Sequence, residues 1–226
     1  MTSIIPVRNS PEFSTDSLLE KIHYIQGQVD SEFRMILNKN WSSEQPEYRV
    51  QIRSAMEKHF TAYFSREQLA MLYDLNWRPR SEKGRFSISH CKSLGGFTFS
   101  RFDHGFDVEQ LKRISVDILK RTCEEKELND CPRPEFLWVA KEAGLKAHSF
   151  FRDNIKSLPV MPDRHGVLGS EMPDLVVTDF SATEWSTHFE NKIFSFRLKC
   201  RKNLDYHINK GFIFAEGEEL FCTYFR

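Results

Sequence analysis

Net charge is the first thing this sequence lacks: its 32 Lys and Arg balance 32 Asp and Glu, and the isoelectric point is about 7.1. A global positive field that would draw the chain onto nucleic acid or an anionic membrane surface is thereby excluded. Long apolar runs are also missing, since none approaches the roughly 20 residues of a membrane-crossing helix. The first residues carry neither the cationic start nor the extended apolar stretch of a secretory signal, so the expected location is the cytoplasm. Cysteine is scarce and odd in number. Cys91, Cys123, Cys131, Cys200 and Cys222 are widely spaced and contain no C-x-x-C pair, so neither a disulfide framework nor a zinc site is indicated. Single buried or half-buried thiols are the expectation. There is no Walker-type phosphate loop and no dinucleotide glycine fingerprint, so neither ATP nor NAD is suggested. What is abundant is phenylalanine, 20 residues of it in a chain that is 40% hydrophobic, enough for an ordinary folded core.

Residues 1–13 mix Pro, Ser and polar groups and read as a flexible N-terminal arm. Ser17 followed by Glu20 resembles a capping box, opening a helix through Leu18, Leu19, Ile22 and Ile25. A second helix is predicted from Tyr48 to Phe64, and Ser65 with Gln68 caps a short third one. From Arg85 the period becomes two: Phe86 and Ile88 alternate with Arg85, Ser87 and Ser89, as in a strand with one buried face. Gly95 and Gly96 read as a turn. Phe97 and Phe99 then alternate with Thr98 and Ser100, and Gly105 to Glu109 places Phe106 and Val108 opposite Asp107 and Glu109. These segments predict three antiparallel strands. Helical spacing returns from Gln110, with Leu111, Ile114, Ile118 and Leu119 on one face, until Cys131-Pro132-Arg133-Pro134 stops it, and Pro134 with Glu135 opens a helix packed through Phe136, Val139, Ala140, Ala143, Ala147 and Phe150. Residues 157–173 read as a long loop. Strands are predicted at Leu175 to Val177 and His188 to Leu198, and Gly211 to Ala215 with Glu219 to Tyr224 form a hairpin. The fold class is α+β, in two lobes of mixed helix and strand that meet near Asp103: 14–103 and 104–226.

Three features in the middle of the chain carry candidate chemistry: Ser89-His90, Asp107-Val108-Glu109, and Trp138 through Lys146. Each has a bland alternative. At this composition an acidic-x-acidic triplet arises about four or five times by chance. A Glu four residues before a Lys is a favourable surface pair on any helix, and a His after a strand is usually structural. Together they describe something narrower. Asp107 and Glu109 on one strand face have Cβ atoms about 7 Å apart, a separation at which two carboxylates can share a hard divalent cation. Glu142 on a helix can supply a third carboxylate as ligand or base, and Lys146, one turn on, offers a point charge for a phosphate. Carboxylates, magnesium and an ammonium group together suit a pyrophosphate.

In that order, Ser89-His90, Gly105-Phe106-Asp107-Val108-Glu109 and Trp138-x-x-Lys141-Glu142-Ala143-x-x-Lys146 resemble the motifs of the 4′-phosphopantetheinyl transferases. The resemblance implies the larger, two-lobed type, active as a monomer, with two similar lobes of mostly antiparallel sheet packed with helices and an active site between them. It implies transfer of the phosphopantetheine arm of coenzyme A to a serine of an acyl, peptidyl or polyketide carrier protein, releasing 3′,5′-ADP. By the same resemblance Asp107, Glu109 and Glu142 hold Mg2+, with Glu142 as ligand or base. Lys146 meets a phosphate, His90 beside Ser89 contacts a coenzyme A phosphate, and Lys141 supports the site. Arg78, Arg80, Lys83 and Arg85 form a basic stretch ahead of Ser89. The family carries a basic nucleotide contact in a similar loop, which makes Arg80 the candidate here, and a solvated charged loop is its bland counterpart. The alternative function is a non-catalytic homologue that binds coenzyme A or a carrier. Neither nucleic acid nor a membrane is expected as partner.

Overall fold

The computed structural model of the chain describes residues 16–74, 79–81, 83–148, 174–182, 192–201 and 208–226. The expected arm, Arg78, Phe150, the 157–173 loop and the start of the strand expected from His188 lie outside them. The architecture is α+β, with two antiparallel sheets packed with helices. In chain order the main elements of the first half are α1 (Asp16–Gln28), β1 (Arg34–Asn38), α2 (Tyr48–Phe60), α3 (Arg66–Met71), β2 (Arg80–Ser81), β3 (Gly84–His90) and β4 (Gly95–Ser100). The second half holds β5 (His104–Gln110), α4 (Val116–Thr122), α5 (Glu125–Asp130), α6 (Glu135–Ala147), β6 (Leu175–Ala182), β7 (Phe194–Cys200), β8 (Lys210–Glu216) and β9 (Glu219–Phe225).

The two sheets share one plan. The first has strand order β1-β4-β3-β2 and the second β5-β9-β8-β7-β6. In each, an opening strand is followed by helices and then by a meander whose last strand returns beside the first. The second sheet has one strand more. No helix among the described residues is long and apolar enough to cross a membrane.

Period-two burial sorts the side chains of the second sheet onto two faces. Leu220, Cys222 and Tyr224 of β9 face a core that includes Val139, Ala140 and Ala143 of α6. Phe221 and Phe225, with Phe106 and Val108 of β5, join a second core whose other side is Leu18, Ile22 and Ile25 of α1. Asp107 and Glu109 are thus turned away from α1. A third cluster packs Ile52, Met56 and Phe60 of α2 on Phe86, Phe97 and Phe99 of the first sheet.

Several local expectations are corrected. Ser17 does not cap α1; it lies within a helix already formed at Asp16, and its hydroxyl donates to Glu216 at 3.4 Å. The Ser65–Gln68 capping box is present. Gly95 and Gly96 are not a turn but the start of β4, where a Cβ on Gly95 would strike the Trp41 carbonyl. The run from Gln110 is broken into a 3₁₀ turn, α4 and α5, because Ser115 caps α4 through the Ile118 amide at 3.3 Å and Glu124 forms a capping box with Glu127. β5 leaves the first sheet and pairs with β9 from His104↔Phe225 to Gln110↔Glu219. The five thiols are free, with Cys91, Cys131 and Cys222 buried and Cys123 and Cys200 half-buried.

Candidate active site

The junction between the sheets is made by β3 and β5. As the edge strand of the second sheet, β5 has main-chain N–H groups turned away from β9 that need acceptors. Serine hydroxyls of β3 provide them: the Phe106 amide donates to Ser87 Oγ at 2.8 Å and the Val108 amide to Ser89 Oγ at 3.2 Å. Ser87 and Ser89 are therefore buried. The alternation that reads as a strand with one solvated face is a strand covered on both, with its polar face serving the neighbouring lobe.

Ser89 also donates to Asp107 Oδ1 at 2.8 Å. The opposite wall is α6, which lies against β5 where Gly105 has no side chain; a Cβ there would overlap the Ala143 carbonyl oxygen and come within 2.7 Å of the Ala147 nitrogen. This close approach lets Lys146 reach across. Its Nζ donates to Asp107 Oδ1 at 2.7 Å, to Ser89 Oγ at 3.0 Å and to the Phe106 carbonyl at 3.1 Å. Ser89, Asp107 and Lys146, from β3, β5 and α6, form one hydrogen-bonded group.

Glu142 and Glu109 flank it. Burial pushes the Glu142 carboxyl up to about 7, the negative charge of Asp107 pushes it the same way, and Lys146 opposes both. Burial also raises Glu109, partly offset by the Gln110 amide and by Arg113, whose Nη1 donates to Glu109 Oε1 at 3.2 Å. Among the described residues no group of three or more His, Cys, Asp or Glu is arranged to hold a metal ion. Asp107 is engaged by Lys146 and Glu109 by Arg113, and Glu142 feels the charge of both carboxylates. The donor set is nevertheless chemically suited to magnesium. It consists of hard oxygens, the donors that magnesium takes, and the charge of Asp107 adds to burial, the larger cause, in raising the proton affinity of Glu142.

His90, at the end of β3, is partly exposed. Burial, then the charges of Lys146 and Arg49, push its imidazole down to about 4, so it is neutral near pH 7. Its Nε2 lies 3.1 Å from Tyr48 Oη, with the rings 4.5 Å apart, and Arg49 Nε donates to the same phenolic oxygen at 3.0 Å. Tyr48, Arg49 and Arg113 were not legible as site neighbours. Tyr48 and Arg49 sit at the start of α2 with no motif around them, and Arg113 matches only an ordinary i, i+4 pair with Glu109.

Two expected contributors are not brought to this group. Lys141 is fully buried on another side of α6, where its Nζ donates to Glu127 at 2.8 Å and to the Thr122 carbonyl at 2.6 Å. Consecutive helix residues diverge by about 100°, so a Lys141 committed to α5 cannot share the face of Glu142 and Lys146. Arg80 is exposed on β2 and pairs in register with Arg85, five residues along β3 from His90, a distance of about 17 Å. Lys83 and Arg85 are likewise engaged elsewhere, Lys83 with the Ala62 carbonyl and Arg85 with Asp103.

No protein-family model matches the chain and no curated protein matches its sequence, so a functional reading rests on the residues that meet at this junction.

Proposed function

We propose that the chain is a magnesium-dependent 4′-phosphopantetheinyl transferase, moving the arm of coenzyme A to a serine of an acyl, peptidyl or polyketide carrier protein. The observation that carries this reading is the convergence of Asp107 and Glu109 from β5, Glu142 and Lys146 from α6, and Ser89-His90 from β3 at the junction of the two sheets, in the motif order the family uses.

In the reaction the carrier serine oxygen attacks the phosphorus that bears the pantetheine arm. The new P–O bond forms as the bond to 3′,5′-ADP breaks, and the serine proton passes to a base. Glu142 suits that role, because a carboxyl held at about 7 both accepts and releases a proton near neutral pH. Lys146 supplies a positive charge beside a phosphate rather than a hydrogen bond, because its three N–H donors are taken by Ser89, the Phe106 carbonyl and Asp107. The neutral imidazole of His90 offers a directed N–H rather than a charge. Asp107 and Glu109 would hold magnesium, with Glu142 either the base or a third ligand, and the ion would neutralise charge on the nonbridging phosphate oxygens when bound.

Incubation with coenzyme A, magnesium and an apo carrier protein should convert the carrier to its phosphopantetheinylated mass. Asp107→Ala should abolish the conversion while the protein remains folded by circular dichroism. Transfer that survives Asp107→Ala rejects the assignment. A second reading, a coenzyme A- or carrier-binding homologue without catalysis, is favoured by the engagement of Asp107 by Lys146 and of Glu109 by Arg113. Binding of coenzyme A with no transfer across a panel of carriers would select it.

A further inference from the structure

Three groups beside the junction form a chain. Arg49 Nε donates to Tyr48 Oη at 3.0 Å, and Tyr48 Oη lies 3.1 Å from His90 Nε2. The guanidinium has donors only. The phenolic oxygen therefore accepts from Arg49, which leaves its single proton for the imidazole and strengthens it as a donor by polarisation. If Nε2 accepts, the ring proton resides on Nδ1, where no described residue takes it. We propose that Tyr48 is a positioning residue: with Arg49 behind it, it fixes His90 as the Nδ1–H tautomer and turns that N–H toward the anionic ligand of the junction.

The packing supports the same assignment. The Tyr48 and His90 rings meet edge-to-face at 4.5 Å with an interplanar angle of 69°, and Arg49 lies 5.6 Å from the Tyr48 ring, so the phenol ring contacts both partners. A second proton on His90 would face the charges of Arg49 and Lys146. The ring is thus retained as a neutral group with one donor of defined direction. An imidazole free to exchange tautomers would present a donor only part of the time, and a ligand oxygen would have to select the competent form. The ligand half of this inference rests on the transferase reading; the tautomer half does not.

The test is a long-range proton–nitrogen correlation spectrum of the full chain labelled with nitrogen-15 histidine, in wild type and in Tyr48→Phe. The substitution keeps the ring and removes only the hydroxyl. The expected result is a proton on Nδ1 in the wild type and a mixture of tautomers in Tyr48→Phe. Titration calorimetry with coenzyme A should show binding weakened about tenfold in the variant, and where transfer is measured KM should rise with kcat unchanged. A wild-type His90 protonated on Nε2 overturns the proposal without reference to any variant. So does a tautomer ratio that Tyr48→Phe leaves unchanged. The expected tautomer change with no coenzyme A binding by either protein overturns the transferase reading and supports the Tyr48–His90 positioning.

Discussion

Replacing Glu142 by Gln should make the protein more stable, and by an amount that depends on pH. Glu142 is half-buried and feels the charges of Asp107 and Glu109, and its folded value of about 7 stands against an ordinary 4.5. That interval corresponds to about 3 kcal/mol of preference for the protonated form in the folded state. The sign follows from proton linkage. Below the unfolded value both states carry the proton and nothing is lost. Between the two values the unfolded chain has released its proton while the folded chain keeps it, so stability falls as pH rises. Above the folded value the whole penalty is present. Gln has nearly the same shape and no charge, so Glu142→Gln should match the wild type near pH 4.5 and exceed it by up to about 3 kcal/mol near pH 8.5. Urea unfolding at a series of pH values reads this directly. Millimolar magnesium should recover much of the difference in the wild type and little in the variant, because the ion relieves the same repulsion. A Glu142→Gln protein no more stable than wild type at alkaline pH would refute the reasoning and remove the case for Glu142 as a base.

Three further outcomes follow from particular contacts. Gly105→Ala should cost about 3 kcal/mol or more and separate Lys146 from Asp107, since its Cβ would drive α6 off β5; a thermal midpoint close to wild type would contradict the packing. Lys141→Met should cost about 3–5 kcal/mol in urea unfolding, because it strands the buried Glu127 carboxylate, and a loss below about 1 kcal/mol would show the pair to be dispensable. Burial works against the charge of Asp30, yet the Arg101 and Glu32 amides and the Ser100 hydroxyl outweigh it and hold the carboxyl below its usual range. Its stabilisation is therefore present above the unfolded value and lost as pH falls through the lower folded one, so Asp30→Asn should flatten the acid limb of the stability curve.

Much of the second lobe can be read from letter spacing. Phe106 and Val108 against Asp107 and Glu109 specify both the strand and the face its carboxylates share, and Glu142 with Lys146 specifies one side of a helix. Spacing does not say which other surface those faces meet. Ser87 and Ser89 read as solvated because their partners, the amides of an edge strand, belong to a lobe that local periodicity cannot place alongside. Lys141 is indistinguishable from Lys146 as a basic residue on the same helix until Glu127 is seen beneath it. Tyr48 and Arg49 reach His90 only through the tertiary docking of α2 on the first sheet. Helix boundaries after Gln110 failed for a different reason, since Ser115 and Glu124 compete for the helical amides and interrupt an apolar rhythm that would otherwise continue.

The serine rungs between the halves have a mechanical corollary. Because hydroxyls, not carbonyls, receive the amides of Phe106 and Val108, the two halves are joined there by groups that can swivel about a single bond and re-form the contact with water. Deuterium uptake at those two amides, compared with the flanking rungs shared with β9, would gauge how often the two halves part there. It would do so on the strand that carries Asp107 and Glu109.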